Sequence, residues 1–464
     1  MIFKEFLDQN LIMDIAIDSR LVKPGSLFFV LRGGDKFIQD AINNGAAAII
    51  SEMNIEAKVP VIKSVNIHAD LVYALQKFYP NLPKNIFAIT GTKGKTSTAE
   101  FLRQMLEMVG YKAASIGTLG IVCNDIKIYQ EISDSGLTTP DIVSLYKNLA
   151  VLKKHGIDNV AIEASSIGIE QGRLDGIKIE VGIFSNFSQD HLDYHLTMKR
   201  YFDCKMLLFK KLMNDGIVVA NADIIEFSQI KESVGNNKLI SFGKNGDALK
   251  ILSLEEGRFL LDKKEYTLNL SMIGDFQIYN ALSALLAIKS YYNLPDSIIK
   301  KIVDNSSNLK SAKGRMDKVA DLENGVQIYI DFAHNPDSLE KTLNNAKRFA
   351  KARLLVLFGC GGDRDTKKRP IMGEISTRIA DYVIITDDNP RTENPAEIRS
   401  QIITGCINKN FIEIDDRKNA IGQAITMLKP DDILIIAGKG HEQYQIIGDK
   451  KYSFNEEQIV KSFL

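Results

Sequence analysis

Apolar residues fall along this chain in short runs, each bounded by polar or glycine-rich sequence. Leu27 to Leu31 reads as a strand. Ala46 to Ile50 reads as a second, just after Gly45 closes a short helix. Ile86-Phe87-Ala88-Ile89 opens another unit. The period then changes, because Leu102, Met105, Leu106 and Val109 recur at i, i+3, i+4 and i+7, the spacing of one helix face. Val160-Ala161-Ile162 and Val181-Gly182-Ile183-Phe184 return to strand-like runs, and a stretch rich in Ala and Leu near 280 to 291 predicts a further helix. The last part holds four short apolar runs: Val326 to Ile330, Leu354 to Phe358, Tyr382 to Ile385, and Ile433 to Ile436. Runs of this kind suit strands buried on both faces of a parallel sheet. The pattern predicts an α/β protein of three units, 1–84, 85–311 and 312–464, with the first plausible linker at Asn81-Leu82-Pro83-Lys84.

The ends of the last four runs carry chemistry. They are Asp331-Phe332-Ala333-His334, Gly359 to Arg364, Asp387-Asp388-Asn389-Pro390-Arg391, and Gly438-Lys439-Gly440-His441-Glu442. Ligands of open parallel sheets bind at the carboxyl edge, so four polar endings along one edge predict a site there.

Bulk properties remove several function classes. The 464 residues carry 58 Lys plus Arg against 58 Asp plus Glu, which leaves no electrostatic footprint for nucleic acid or an anionic membrane. Cys123, Cys204, Cys360 and Cys406 are far apart, which argues against a disulfide framework and against a cysteine zinc site, and fits a reducing cytoplasm. The opening segment, Met1 to Phe6, has an early acid and no long apolar stretch after it, so no signal peptide is expected. No run approaches the ~18 apolar residues of a membrane span.

Gly91-Thr92-Lys93-Gly94-Lys95-Thr96 lies between a predicted strand and a predicted helix. Backbone N–H groups of such a turn, with the helix N-terminus, cradle phosphates. Lys95 would reach the β/γ-phosphates of ATP and the Thr96 hydroxyl would bind Mg²⁺. The general phosphate-loop pattern wants a glycine where Ile89 stands, so the loop is the shorter Gly-x-x-Gly-Lys-Thr form. Kinases, motors and ligases all use such loops, so the reaction must be read from elsewhere. Glu163, at the end of the 160–162 run, is placed as acids that hold Mg²⁺ beside phosphate loops often are. Asp190-His191-Leu192-Asp193-Tyr194-His195 is the densest polar cluster. Two histidines at i, i+4 could bind zinc, but a zinc hydrolase would need Glu where Leu192 stands, and a second Mg²⁺ position using His191 is the better reading. Lys205, by spacing alone, is an ordinary helix lysine.

Taken in order, these segments resemble the Mur ligases, the ATP-dependent amino-acid ligases of peptidoglycan synthesis. The resemblance runs through Asp18-Ser19-Arg20, Gly91 to Ser97, Thr138-Thr139-Pro140, Glu163 to Ser166 and Asp190 to His195. It continues through Gly314-Arg315-Met316, Asp331 to Asp337, Gly359 to Arg369, Asp388 to Arg391 and Gly438 to Glu442. It implies three domains: an N-terminal UDP-binding unit, a central ATPase, and a C-terminal Rossmann-like unit. It implies that ATP phosphorylates a carboxylate and that an amine displaces the phosphate, with Mg²⁺ offsetting the crowded negative charge. By position it makes Thr96, Glu163 and His191 metal-site residues, with Lys95 on the phosphates and Lys205 carrying a carbamate. Gly91, Thr92, Lys93, Gly94, Lys95, Thr96, Ser97, Asn280, Arg315 and Asp331 become ATP contacts. Ser19, Thr138, Thr139, Ser165, Gln171 and Arg173 become contacts to the UDP-muramoyl-dipeptide, UDP-MurNAc-L-Ala-D-Glu. Ile167 stands where relatives have histidine, Gln277 where many have asparagine, and the loop Gly34 to Phe37 is short.

The incoming amino acid turns on Arg391. In this family Asp388-Asn389-Pro390-Arg391 marks the members that add meso-diaminopimelate. A guanidinium can fork onto the distal carboxylate that lysine lacks. Arg364, Gly438 and Glu442 match the other amino-acid contacts. A cytoplasmic monomer is expected, and the charge balance and apolar runs argue against nucleic-acid partners and membrane insertion. Other readings are a lysine-adding or folylpolyglutamate-type ligase, or a nucleotide-binding regulator without ligase activity.

Overall fold

The computed structural model of the chain describes residues 3–9, 12–132 and 135–464. Met1 and Ile2 of the opening segment lie outside the described residues. The chain forms two compact units, one of residues 1–95 and 106–240, the other of residues 96–105 and 241–464. Among the described residues no helix is long and apolar enough to cross a membrane.

The first unit contains two sheets. Strands β1 (Asp14–Ala16), β2 (Ser26–Phe29), β3 (Ala46–Ser51) and β4 (Val61–Lys63) pair in that order, all parallel. The second sheet uses β5 (Asn85–Thr90), β6 (Ala113–Gly117), β7 (Gly120–Cys123), β8 (Asn159–Glu163), β9 (Ile179–Phe184) and β10 (Leu212–Asn221) in the order β10-β9-β5-β8-β6-β7. All neighbours in it are parallel except β6 and β7. In this register Ile89 lies beside Glu163, and Thr90 beside Phe184. The ends of β8, β5 and β9 are therefore adjacent, and each leads into a segment with candidate chemistry.

Strand β11 (Lys238–Gly243) carries the chain into the second unit. There β12 (Leu249–Ser253), β13 (Arg258–Leu261) and β14 (Lys264–Thr267) follow, and the last three form an antiparallel meander. The helix predicted near 280 to 291 is longer, Asp275–Tyr292. Its first turns carry Gln277 and Asn280, buried polar residues that interrupt the apolar period and hide the start of the helix.

The sheet predicted from four apolar runs has six strands: β15 (Asp317–Asp321), β16 (Gln327–Asp331), β17 (Leu354–Phe358), β18 (Tyr382–Ile385), β19 (Phe411–Glu413) and β20 (Ile433–Ala437). Their order is β15-β16-β20-β17-β18-β19, with β15 antiparallel at one edge. The four runs are β16, β20, β17 and β18, adjacent and parallel. Alternate residues enter two cores. Val356, Phe358, Ile385 and Ile435 pack with Leu339, Met372 and Ile402 on one face. Leu355, Leu357, Ile384 and Ile436 pack with Ala420, Ile421 and Val460 on the other. Burial of both faces is why these strands read as continuous apolar runs. A hairpin of β21 (Tyr444–Ile447) and β22 (Lys450–Ser453) lacks that signal because much of it is exposed.

One buried ion pair ties the ends of this sheet together. Arg417 and Glu456 have side chains 0% and 1% exposed and meet at 2.7 Å. Arg417 also donates to the carbonyls of Ala437 (2.8 Å) and Asp387 (3.3 Å), at the ends of β20 and β18. Replacing Arg417 by Met orphans both carbonyls and strands Glu456 in the core. The expected loss is about 3–5 kcal/mol of unfolding free energy, read from denaturant titration.

Candidate active site

At the end of β5 the chain turns at once. Gly91 has φ +147°, and a Cβ there would lie 2.1 Å from Ser185 Oγ, so only glycine lets the loop pass the end of β9. Gly94 has φ +81° and turns the loop into the helix Lys95–Met108, whose first turn holds Thr96 and Ser97. Asn186 pins the loop, accepting from the Lys93 N–H (2.9 Å) and donating to the Lys93 carbonyl (2.7 Å). The Ser185 hydroxyl donates to that same carbonyl at 3.0 Å, and the Thr92 N–H donates to the Asn186 carbonyl at 3.0 Å.

Two lysines converge on one oxygen of this loop. Lys95 donates to the carbonyls of Gly91 (2.9 Å) and Thr92 (3.0 Å). Lys205, on the helix Met198–Met206, also donates to the Gly91 carbonyl, at 2.8 Å. Its ammonium stands 4.4 Å from the centre of the Tyr201 ring. Lys205, by spacing an ordinary helix lysine, is 1% exposed. Burial, and then the nearby Lys95 charge, push its pKa well below the usual lysine value, with Asp190 opposing.

Glu163 closes β8 and is 2% exposed. The Thr118 N–H donates to its Oε1 (2.8 Å) and the Thr118 hydroxyl to its Oε2 (3.3 Å). A Cβ on Gly117 would lie 2.0 Å from Oε1, so the carboxylate occupies space that only glycine leaves open. His191 follows β9 in a left-handed conformation, φ +52°, rare for a residue with a Cβ. Its N–H donates to Asp190, and its half-exposed ring meets Tyr201 edge-on at 6.0 Å. His195 is wholly buried, with Nε2 2.9 Å from the Ser166 hydroxyl. The two histidines thus have different polar partners.

A hydrogen-bonded cluster adjoins Glu163. The Thr139 hydroxyl donates to the Glu163 carbonyl (2.8 Å), accepts from the Ser165 N–H (2.9 Å) and lies 2.9 Å from Ser165 Oγ. Arg173 donates to the Thr139 carbonyl (2.6 Å) and forks onto Gln171 Oε1 at 3.1 and 2.7 Å. Thr138 and Thr118 hydroxyls are 3.3 Å apart. Five of the six residues assigned to the UDP-dipeptide thus sit together. Ser19 lies elsewhere, in the turn after β1, its carbonyl accepting from Asn44.

In the second unit, Asp331 ends β16. Its oxygens accept from the N–H groups of Met316 (2.7 Å) and Ala333 (3.0 Å) and from the Thr342 hydroxyl (3.0 Å). Burial raises its pKa, against the pull of Arg315. The Arg315 guanidinium lies 4.7 Å over the Phe332 ring, which also contacts His334 and His441. On the helix Asp275–Tyr292, Asn280 Nδ2 and Gln277 Oε1 are buried without partners. A donor and an acceptor left unpaired in this way fit the edge of a purine.

The carboxyl edge of the six-stranded sheet gathers the other polar endings. Asn389 Oδ1 accepts from Lys439 (2.9 Å) and from the Ile446 N–H (2.9 Å), and its Nδ2 donates to Glu442 (2.8 Å). Lys439, wholly buried, also meets Glu442 at 3.1 Å. A Cβ on Gly438 would lie 2.6 Å from Asp388 Oδ2, a buried oxygen with no partner. Arg391, directly after Pro390, has φ +51°. Its backbone bonds to Ile446 and Gly448 of the exposed hairpin, and its Nη1 donates to the Gly362 carbonyl at 2.7 Å. Arg364 is exposed on the turn after β17. Sequence reasoning assigned no role to Thr118, Asn186 or Lys439. Only Lys439 carried a signal, a lysine between two glycines at a strand end.

Known proteins match this arrangement along nearly its whole length. Residues 89–288 match the family described as Mur ligase middle domain, and residues 314–440 that described as Mur ligase, glutamate ligase domain. The UDP-N-acetylmuramoyl-L-alanyl-D-glutamate--2,6-diaminopimelate ligase of Rickettsia bellii (strain RML369-C) is 43% identical, covering 99% of this chain and 98% of its own. A solved structure of a ligase of that same name superposes with a TM-score of 0.70 at 29% identity, covering 100% of this chain and 98% of its own. MurF ligase from Thermotoga maritima, solved in complex with ADP, shares the fold with a TM-score of 0.63 at 19% identity, over 97% of this chain and 96% of its own.

Proposed function

The chain belongs to the Mur ligase family, and from that premise we propose that it joins meso-diaminopimelate to the D-glutamate γ-carboxyl of UDP-N-acetylmuramoyl-L-alanyl-D-glutamate. One observation carries the chemistry: Lys95 and Lys205 meet on the Gly91 carbonyl, at the ends of three adjacent strands that also present Glu163 and His191. That arrangement suits phosphoryl transfer from ATP to a carboxylate. The γ-carboxylate takes the terminal phosphoryl group and ADP leaves. The amine of diaminopimelate then attacks the acyl phosphate, and the tetrahedral adduct loses phosphate to leave the amide.

Thr96, Glu163 and His191 would hold Mg²⁺, a donor set of hydroxyl, carboxylate and imidazole that fits a cation keeping several of its waters. Bound there, the ion supplies charge neutralisation between triphosphate and carboxylate. Lys205, neutral more readily than an ordinary lysine, would add CO₂ and become a carbamate, an anion where the bare side chain is a cation. Gly91 to Ser97 would cradle the phosphates. Asn280, Arg315 and Asp331 would serve the adenine, phosphate and ribose. Ser19, Thr138, Thr139, Ser165, Gln171 and Arg173 would hold the UDP-dipeptide. Arg364, Asp388, Asn389, Pro390, Arg391, Gly438 and Glu442 would hold diaminopimelate, with the unpartnered Asp388 oxygen suited to its ammonium.

We read the chain as three domains, 1–84, 85–311 and 312–464, working as a cytoplasmic monomer. The two family matches fall within the last two of these segments. ADP release should require the UDP-dipeptide and meso-diaminopimelate together. Equal release when L-lysine replaces diaminopimelate would remove the amino-acid assignment, and release without either acceptor would remove the ligase reading.

A further inference from the structure

His195 and Cys204 take no part in the chemistry above, yet both are buried and face a common neighbour. His195 ends the short helix Leu192–His195, Cys204 sits on the helix Met198–Met206, and Glu170 ends the helix Ser166–Glu170. One ligand atom from each of the three lies within 4.8 Å of the other two. The outward atoms are already engaged: Glu170 Oε1 accepts from Arg200 at 3.2 Å, and His195 Nε2 lies 2.9 Å from Ser166 Oγ. Glu170 also takes hydrogen bonds from the Cys204 thiol and the Tyr194 hydroxyl, while His195 Nδ1 is buried with no partner. His195 is 0% exposed, so an unpaired ring nitrogen there carries the full cost of desolvation.

We propose that Glu170, His195 and Cys204 form a binding site for a borderline-soft divalent cation of the zinc class, separate from the Mg²⁺ position and independent of the ligase assignment. Thiolate, imidazole and carboxylate are the donors such ions select, whereas Mg²⁺ would not take sulfur. Arg200 and Ser166 act as the outer partners that orient the carboxylate and the ring. Without a cation, burial and then the Glu170 charge raise the Cys204 thiol to about 11, so it is a poor redox nucleophile. Binding replaces that proton: the thiol and M²⁺ give the metal thiolate and release H⁺. Sequence spacing excludes a site of paired cysteines but cannot show one assembled from three helices.

The test is a Cd²⁺ titration of the full chain, stripped of nucleotide and metal, with Zn²⁺ as competitor. The expected result is an ultraviolet thiolate-to-metal absorption saturating at one equivalent and displaced by Zn²⁺. Cys204→Ser should abolish the band while keeping Mg²⁺-dependent ligation, which shows that the variant folds. Glu170→Gln should keep the band and weaken Zn²⁺ binding at least ~10-fold. A band undiminished in Cys204→Ser, no band in the wild type, or unchanged Zn²⁺ affinity in Glu170→Gln would each overturn the site.

Discussion

Lys205→Ala lowers the ligation rate by about a thousandfold, the scale of losing a preorganised charge at a phosphoryl-transfer site. Bicarbonate or a short carboxylate such as formate restores part of it, by placing an anion where the carbamate stood. The side chain is buried with its amine against the Gly91 carbonyl, and its surroundings disfavour the ammonium. The sign of the pH effect follows. Carbamate forms from the neutral amine with release of a proton, Lys–NH₂ + CO₂ → Lys–NH–COO⁻ + H⁺. A lowered amine pKa extends the reactive form toward neutrality, and falling pH reverses the modification. Wild-type activity in CO₂-depleted buffer should therefore decline first at the acid end and return on adding bicarbonate. Wild-type rates in Lys205→Ala would show that the modification is irrelevant.

Arg391→Ala raises the KM for meso-diaminopimelate by roughly 30- to 100-fold, the equivalent of about 2–3 kcal/mol for hydrogen bonds to a charged group. The effect on kcat is smaller, since the reacting amine is at the other end of the substrate. Arg391→Lys should recover little, because a point ammonium cannot reproduce a planar fork. The backbone supports this assignment. Arg391 adopts a left-handed φ of +51°, a conformation costing on the order of 1 kcal/mol or more, held by the hairpin through bonds to Ile446 and Gly448. Measuring KM for both diaminopimelate and lysine in each variant separates loss of the distal carboxylate contact from general damage, which would raise both.

Much of this molecule is written locally. The four runs that became β16, β20, β17 and β18 were legible because burial on both sheet faces leaves no polar alternation to confuse them. The phosphate loop was legible because its strand, glycines and helix are consecutive. The start of the helix Asp275–Tyr292 was hidden by Gln277 and Asn280, whose polarity opposes the helix period while leaving buried atoms open for a ligand. The hairpin that grips Arg391 was hidden because half-exposed strands carry a weak hydrophobic pattern.

From the residues alone came the α/β class, the phosphate loop, the ordered polar endings and, through their joint order, the family. What only the tertiary structure decided is the state of particular side chains. Lys205 reads as an ordinary helix lysine in one dimension and is a buried, desolvated amine in three. His191 and His195 have the i, i+4 spacing of a pair, a reading the sequence set aside for His191 alone, and they have different polar partners. Cys204 reads as a lone cysteine and stands beside His195 and Glu170. The physical reason is the same in each case. Burial, charge proximity and hydrogen-bond geometry depend on neighbours far away in sequence, here the ends of β5, β8 and β9 and three short helices, and local spacing carries no information about them.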